Sequence, residues 1–165
     1  MELKNKYFLL RHGESLSNVR EVISSWPEQG HFPLTSKGEE DIKKAARELK
    51  EKDIDYIFSS DLLRTKQTAE IVSEETKVEV KYDKRLREYD AGDLNNKPLT
   101  EWRKVFKEGD SKFEVAPPGG ETYQEVKERM ADFFHEKEDK FSGKNILVIS
   151  HQNPLTLIEA EMRGI

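Results

Sequence analysis

The stretch Tyr7-Phe8-Leu9-Leu10-Arg11-His12-Gly13-Glu14 joins an apolar run to a polar and charged one. A short, continuous apolar run is typical of a parallel strand that is covered on both faces of a sheet. A second run, Ile146-Leu147-Val148-Ile149, is followed in the same way by Ser150 and His151. Since ligands bind at the carboxyl ends of strands in open α/β sheets, both histidines are predicted to lie at the ligand-binding edge of one sheet.

The rest of the chain predicts that helices flank this sheet. Strands are predicted at Tyr7–Leu10, Tyr56–Ser59, Val78–Tyr82 and Asn145–Ile149. The alternation of apolar residues at 78–82 favours a position near an edge. Two capping-box patterns, with Ser36 and Thr122 as N-caps and Glu39 and Glu125 three residues later, predict two helix starts. Further helices are predicted to begin near Leu62 and at Asn153, with Asn153 as an N-cap before Pro154. Strands that alternate with helices indicate a three-layer α/β/α architecture with a mostly parallel sheet.

Residues 89–121 interrupt this alternation. They contain a short helical pattern (Leu99, Trp102 and Phe106) and the loop Ala116-Pro117-Pro118-Gly119-Gly120. We therefore predict one domain over residues 1–165, with a small insertion at about 89–121 that covers the carboxyl ends of the strands.

The composition excludes several classes of function. The chain has 28 basic and 33 acidic residues and a net charge of -5, so it has no global attraction for nucleic acid or anionic membranes. It has no cysteine, which excludes disulfides, thiolate nucleophiles and cysteine-ligated metals. It shows no signal-peptide pattern and no apolar run of membrane-spanning length. These features predict a cytoplasmic protein with no nucleic-acid or membrane partner.

Polar and charged residues follow every predicted strand. They are Arg11, His12 and Asn18; Ser59, Ser60, Asp61 and Arg64; Arg87 and Glu88; and Ser150, His151 and Gln152. A doubly wound sheet brings such strand ends to one edge. Phosphoryl transfer is catalysed mainly by positioning and by stabilising negative charge on the phosphoryl oxygens. Arginine forks bind two such oxygens each, and asparagine and histidine donate further hydrogen bonds.

Two of these residues are suited to the covalent and proton-transfer steps. His12 is the predicted nucleophile, because neighbouring arginines disfavour the protonated form of its ring. Glu88 is the predicted acid that protonates the leaving oxygen. The N-terminus of the helix after His151 is a further predicted anion site.

The chain resembles the histidine phosphatase superfamily, in its phosphoglycerate mutase-like branch. The motifs that carry the resemblance cover nearly the whole chain: Arg11-His12-Gly13-Glu14, Leu34-Thr35-x-x-Gly38, Ser59-Ser60-x-x-x-Arg64-Thr65-x-x-Thr68-Ala69, Leu86-Arg87-Glu88, Pro118-Gly119-Gly120-Glu121 and Ser150-His151.

The resemblance implies roles for individual residues. His12 would be phosphorylated during the reaction, and Glu88 would give and take the proton. The phosphate-binding residues would be Arg11, Gly13, Asn18, Ser24, Arg64, His151, Gln152 and Asn153. The family needs no metal and no organic cofactor, so the resemblance implies none here, and it implies a small-molecule phosphate ester as the substrate.

The chain departs from the family pattern at three places, one of which is Asp41, where the family often has glutamine and which is expected on the surface of a helix. Gln152 stands where the family usually has glycine, so its long side chain is expected to narrow the pocket or contact substrate. Family members usually continue past the last helix into another strand, whereas this sequence stops at Gly164-Ile165. Two alternatives follow: either the final strand and part of the pocket wall are absent, or the sequence is truncated. An open sheet edge favours pairing into a dimer, and the oligomeric state stays open.

Three functions remain compatible with the sequence. The favoured one is a metal-independent phosphomonoesterase that works through a phosphohistidine. A phosphoglycerate mutase would share every catalytic residue, but the insertion shows no clear excess of basic residues: Lys97, Arg103, Lys104 and Lys107 stand against Glu101, Glu108 and Asp110. The third is a non-catalytic relative that acts as a binding module.

Overall fold

The computed structural model describes residues 3–163. Along the chain, the strands and α-helices are β1 (Lys6–Arg11), α1 (Leu16–Val19), α2 (Ser36–Lys50), β2 (Tyr56–Ser59), α3 (Leu63–Thr76), β3 (Val80–Tyr82), α4 (Trp102–Val105), α5 (Tyr123–Lys140), β4 (Asn145–Ser150) and α6 (Gln152–Arg163). Short 3-10 helices span Lys84–Leu86, Gly92–Leu94 and Leu99–Glu101.

The strands form one sheet in the order β1-β4-β2-β3, and every pairing is parallel. The register sets Arg11 opposite Ser150, and Ser59 opposite both Ile149 and Tyr82. All carboxyl ends therefore reach the same edge of the sheet, which confirms the predicted parallel architecture. β3 lies at an edge as predicted, although it begins at 80 rather than 78. Within the described residues β1 forms the other edge.

Helices cover both faces of the sheet, which confirms the three-layer prediction. On one face, α2 and α3 pack on the sheet through a core of Ile42, Ala46, Ile54, Ile57, Ala69, Val72, Leu147 and Ile149. On the other face, α5 and α6 contribute Val126, Met130, Phe133, Phe134, Leu157 and Ile158, which meet Phe58, Ile146 and Val148 of the sheet. The central strand β4 thus buries side chains on both faces, as its continuous apolar sequence requires.

Three helix starts can be compared with the sequence predictions. Thr122 and Glu125 form the predicted capping box of α5. At α2 the N-cap is Thr35, whose side chain accepts the Gly38 N–H at 3.0 Å, so the prediction of Ser36 was wrong by one residue. The prediction of Asn153 as an N-cap was also wrong, because α6 already begins at Gln152.

Two glycines allow the chain after β1 to lie directly against α2. A Cβ atom at Gly13 would come within 2.8 Å of the Gly38 carbonyl oxygen, and one at Gly38 would come within 2.2 Å of the Glu14 carbonyl oxygen. Neither distance is compatible with a side chain. Glycine at both positions therefore fixes how the strand end that carries His12 packs on this helix.

Residues 89–121 pack on the chain that follows β1, at the carboxyl side of the sheet. The Ile23 N–H bonds to the Lys97 carbonyl oxygen at 2.8 Å, and Ile23 shares a small apolar cluster with Ala91 and Leu94. The ring of Trp102 packs against this cluster. Within residues 3–163, no helix is long and apolar enough to cross a membrane.

Candidate active site

A cavity of about 130 Å³ opens at the carboxyl ends of the strands. Seven of the residues singled out from the sequence line it: Arg11, His12, Asn18, Ser24, Arg64, Glu88 and Asn153. The remaining lining residues are Ser17, Val22, Ile23, Tyr89, Leu99 and Trp102. The fold therefore brings together side chains from both ends of the chain and from residues 89–121.

His12 is held with one ring nitrogen turned toward Arg64. Its backbone N–H bonds to the Ser150 carbonyl oxygen at 3.1 Å, which ties β1 to β4. Its Nδ1 lies 2.7 Å from the Gly13 carbonyl oxygen. Since a carbonyl can only accept, this contact assigns the proton to Nδ1 and leaves the lone pair on Nε2. The Arg64 Nε–H donates to that Nε2 at 3.1 Å.

The charge state of His12 follows from its surroundings. Only 6% of its surface is exposed. Burial, and next the positive charge of Arg64, lower the pKa of His12 to about 3. The ring is therefore neutral at neutral pH, which is the state that a nitrogen nucleophile requires.

Arg64 lies in the first turn of α3 and is 3% exposed. Its Nη1 donates to the Ser24 hydroxyl at 3.0 Å and its Nη2 to the Ser24 carbonyl oxygen at 3.0 Å. Burial lowers the pKa of Arg64, but a guanidinium stays charged at neutral pH. No carboxylate of the described residues forms an ion pair with it. The site thus contains a buried cation that is not neutralised by direct contact.

His151 lies behind the cavity and is fully buried. Its Nε2 is 2.9 Å from the Ser60 hydroxyl, and its ring centre is 5.2 Å from that of His12. Burial lowers the pKa of His151, so the ring is neutral. Nδ1 is buried and has no hydrogen-bond partner within residues 3–163. Because the Ser60 hydroxyl can donate to Nε2, Nδ1 can carry the proton and serve as a donor to a bound anion.

Glu88 reaches the cavity from the chain that follows the 3-10 helix Lys84–Leu86. Its Oε1 accepts the Tyr89 N–H at 2.8 Å and the Asn153 Nδ2–H at 3.2 Å. Burial raises the pKa of Glu88, while these bonds and the charge of Arg64 oppose that change. A raised pKa favours the protonated form that a general acid needs.

The backbone of Glu88 is held by a half-buried arginine of α5. Arg129 Nη2 donates to the Glu88 carbonyl oxygen at 3.1 Å, and Arg129 Nε donates to Glu121 Oε1 at 2.8 Å. Glu121 Oε2 accepts the Asp90 N–H at 2.9 Å. This network joins α5 to both ends of the 89–121 segment.

Besides His151, which lies behind the cavity, two predicted binding residues do not reach the cavity wall. The Gly13 N–H donates to Thr68 Oγ1 at 3.1 Å, so it is already used inside the protein. Gln152 is exposed and its side chain does not line the cavity, so the expectation that it narrows the pocket is not met. Both residues lie beside His12 or His151 in the sequence, and proximity in sequence does not decide which way a group points.

Several residues of the site were not predicted from the sequence. Tyr89, Leu99 and Trp102 give the cavity an apolar wall, and the rings of Tyr89 and Trp102 stack with centres 5.5 Å apart. Tyr123 contacts the site through Asn153. Aromatic residues in and after the insertion were the available signal, but they are equally typical of core packing. Residues 3–163 hold no cluster of three or more acidic or histidine side chains suited to a metal ion.

Comparisons with known proteins agree with this architecture. A family model described as "Histidine phosphatase superfamily (branch 1)" matches residues 7–165. The probable phosphoglycerate mutase GpmB of Salmonella choleraesuis is 33% identical, over 96% of this chain and 74% of its own length. The corresponding protein of Escherichia coli K12 shows the same identity and coverage.

Solved structures are similar over most of their length. Bacillus stearothermophilus YhfR has a TM-score of 0.87 and 27% identity, covering 97% of this chain and 80% of that one. A putative alpha-ribazole-5'-P phosphatase from Escherichia coli has a TM-score of 0.82 and 26% identity, covering 96% and 79%. Together with the match of the family model to almost the whole chain, these similarities show that the chain belongs to branch 1 of the histidine phosphatase superfamily.

Proposed function

We propose that this protein is a metal-independent phosphomonoesterase that hydrolyses a small phosphate ester through a phosphohistidine on His12. The observation that carries the proposal is the pairing of a neutral His12, whose lone pair lies on Nε2, with the buried cation Arg64 at 3.1 Å. Glu88 lines the same cavity with a raised pKa. A nucleophile, a cation for the phosphoryl oxygens and a proton donor are thus combined in one site.

In the first step, Nε2 of His12 attacks phosphorus and the ester P–O bond breaks. Arg64 gives up its contact with Nε2 and binds phosphoryl oxygens, together with Arg11 and Asn18 at the cavity wall. Nδ1 of His151, which has no partner within residues 3–163, donates a further hydrogen bond to the phosphoryl group. Glu88 transfers its proton to the leaving oxygen, so an alcohol departs rather than an alkoxide.

In the second step, water hydrolyses the phosphohistidine. The Glu88 carboxylate formed in the first step takes a proton from water while the water oxygen attacks phosphorus. The N–P bond breaks, inorganic phosphate leaves, and both side chains return to their starting protonation states. Burial supports this double role, because it brings the pKa of Glu88 toward neutrality.

Phosphoglycerate mutase is the second candidate, and the names of the curated relatives favour it. A mutase must bind a carboxylate besides the reacting phosphate. Among the described residues, Arg11 and Arg64 are the cationic side chains that line the cavity, and the opposite wall is apolar, with Val22, Leu99 and Trp102. This lining supports a hydrolase over a mutase.

Activity in the presence of a chelator tests the proposal. We expect wild type to release phosphate from an aryl phosphate in EDTA, and His12→Ala to lose at least about 10⁴-fold of that rate, as when other nucleophiles are removed. His135→Ala, an exposed histidine on α5, is the matched control and should keep full activity. Loss of wild-type activity in EDTA, or equal rates for His12→Ala and wild type, would contradict it. Isomerisation of 3-phosphoglycerate faster than phosphate release would establish the mutase instead.

A further inference from the structure

The side chain of Asn153 is engaged on both sides by other side chains. Its Oδ1 accepts a hydrogen bond from the Tyr123 hydroxyl at 2.9 Å, and its Nδ2 donates to Glu88 Oε1 at 3.2 Å. Tyr123 is the first residue of α5, and Asn153 lies in the first turn of α6. A chain of two hydrogen bonds therefore links the starts of two helices to the proposed acid.

The donor and acceptor atoms of the three side chains fix the direction of these two hydrogen bonds. A carboxylate can only accept, so the amide NH₂ of Asn153 must face Glu88 whenever Glu88 is ionised. The amide oxygen then faces Tyr123, whose hydroxyl donates to it. The ring of Tyr123 is itself held edge-on to Tyr89 and Phe113, with ring centres 5.1 and 5.7 Å away.

The two carboxylate oxygens of Glu88 therefore differ in their hydrogen-bond partners. Oε1 accepts both the Asn153 amide and the Tyr89 N–H. Oε2 has no hydrogen-bond partner among the described residues and is not sealed from solvent. A proton on Oε1 would face two groups that themselves donate hydrogen bonds, the Asn153 amide and the Tyr89 N–H. A proton on Oε2 would face no such donor.

We propose that Tyr123 and Asn153 are positioning residues that occupy Oε1 of Glu88, so that Oε2 is the oxygen that delivers and recovers the proton. The proposal rests on the proposed function. In the first step the Oε2–H bond breaks and the proton goes to the ester oxygen as the P–O bond breaks and the Nε2–P bond forms. In the second step a proton from water returns to Oε2 as the water oxygen bonds to phosphorus and the Nε2–P bond breaks.

The same contact also contributes to the acidity of Glu88. The charged and titratable groups that surround it are Arg64 of α3, Arg129 and Tyr123 of α5, Arg11 and His12 at the end of β1 and, in an adjoining cleft, Lys84, Arg87, Asp90 and Glu121. The Asn153 bond favours the carboxylate and lowers the pKa against the effect of burial. Removal of Asn153 should therefore raise the pKa of Glu88 further.

The test compares two esters in the same sample of each variant, because their ratio does not depend on how much protein is folded. Tyr123→Phe keeps the ring contacts and removes only the hydroxyl, and Asn153→Leu removes the amide. Tyr82→Phe removes a hydroxyl from an exposed tyrosine on β3 and is the control. The substrates are 2-glycerophosphate, whose alkoxide needs a proton, and 2,4-dinitrophenyl phosphate, whose phenolate does not.

We expect kcat/KM for 2-glycerophosphate to fall about tenfold in Tyr123→Phe and more in Asn153→Leu, within the range of general acid catalysis. For the dinitrophenyl ester, kcat/KM of Tyr123→Phe should change less than about twofold, because that step needs no acid, and Asn153→Leu should lose less on this ester than on 2-glycerophosphate. The double variant should behave as Asn153→Leu alone. The upper limb of the pH profile with 2-glycerophosphate should move to higher pH in Asn153→Leu.

Equal losses of kcat/KM on both esters, or an unchanged kcat/KM on both, would overturn the positioning role of Tyr123 and Asn153. So would an upper limb of the pH profile that does not move in Asn153→Leu. Failure of the proposed function is distinguishable from failure of this proposal. In that case His12→Ala would keep the full activity of wild type.

Discussion

The two sides of the cavity are built differently. On the nucleophile side, the backbone fixes His12: its N–H bonds to the carbonyl oxygen of Ser150 on the neighbouring strand, and its Nδ1 bonds to the next carbonyl along the chain. On the acid side, Glu88 follows a short 3-10 helix and is held by Asn153 and Arg129, which come from α6 and α5. Nucleophile geometry therefore depends on a local strand motif, whereas acid geometry depends on side chains far away in sequence.

After the loss of His12 itself, the largest effect is expected at Glu88, and its size depends on the leaving group. Glu88→Gln keeps the size of the side chain and removes the transferable proton. We expect kcat/KM for an alkyl phosphate to fall about 10³-fold, within the range of general acid catalysis. Steady-state phosphate release measures it, with Glu128→Gln on the exposed face of α5 as control. A loss of the same size on a dinitrophenyl ester would mean that Glu88 is not the acid.

The pH dependence of kcat/KM tests the same difference between the nucleophile side and the acid side. His12 has a pKa of about 3, so it stays neutral and adds no limb to the profile above about pH 4. Glu88 must be protonated in the first step and its pKa is raised, so kcat/KM should fall as pH rises through that pKa. Titration of wild type and Glu88→Gln, corrected for ionisation of the ester, should show this limb only in wild type. A limb near pH 6, on which kcat/KM falls as the pH drops and which persists in Glu88→Gln, would contradict the assignment of a neutral His12.

On the nucleophile side, Arg64→Lys keeps the charge but loses the planar fork that contacts His12 and Ser24. We expect kcat/KM to fall about 10²-fold with any leaving group, comparable to the loss of one donor from an oxyanion site. The measurement uses the same two esters as above. Arg103→Lys, on exposed α4, is the control. A loss confined to poor leaving groups would assign Arg64 to the acid side instead.

The packing under His12 can be tested by stability. In an open helix, replacing glycine by alanine is stabilising, by roughly 0.5–1 kcal/mol. At Gly38 the new Cβ would meet the Glu14 carbonyl oxygen at 2.2 Å, so Gly38→Ala should lower the free energy of unfolding by about 1–3 kcal/mol. Urea unfolding measures the difference, with Glu40→Ala on the exposed face of α2 as control. A stabilised Gly38→Ala would show that the close approach is absent.

The smallest effect is expected at Trp102, on the apolar wall of the cavity. Trp102→Ala removes a ring that stacks on Tyr89 and lines the cavity. The KM for an aryl phosphate should rise roughly five- to tenfold, as expected for the loss of about 1 kcal/mol of aromatic contact, with little change in kcat. The KM for 2-glycerophosphate should change less. An equal rise for both esters would mean that this ring does not contact the leaving group.

The sequence predicted the nucleophile side better than the acid side, for a physical reason. Apolar runs followed by Arg11-His12 and by Ser150-His151 predict parallel strands whose ends meet, because register and direction follow from the runs themselves. The side-chain contacts of Asn153 with Tyr123 and Glu88 join residues separated by 30 and 65 positions, and no periodicity reports such contacts. An asparagine before proline is equally typical of an N-cap, which is why that prediction failed.

The central claim is that His12 carries the phosphoryl group. Its most direct test is to mix the enzyme with an aryl phosphate, quench within one turnover in alkali, and map the phosphorylated peptide by mass spectrometry. The account predicts phosphate on Nε2 of His12, lost on brief acid treatment and absent from His12→Ala. Turnover of the ester with no phosphorylated His12, or with stable phosphate on another residue, would contradict it.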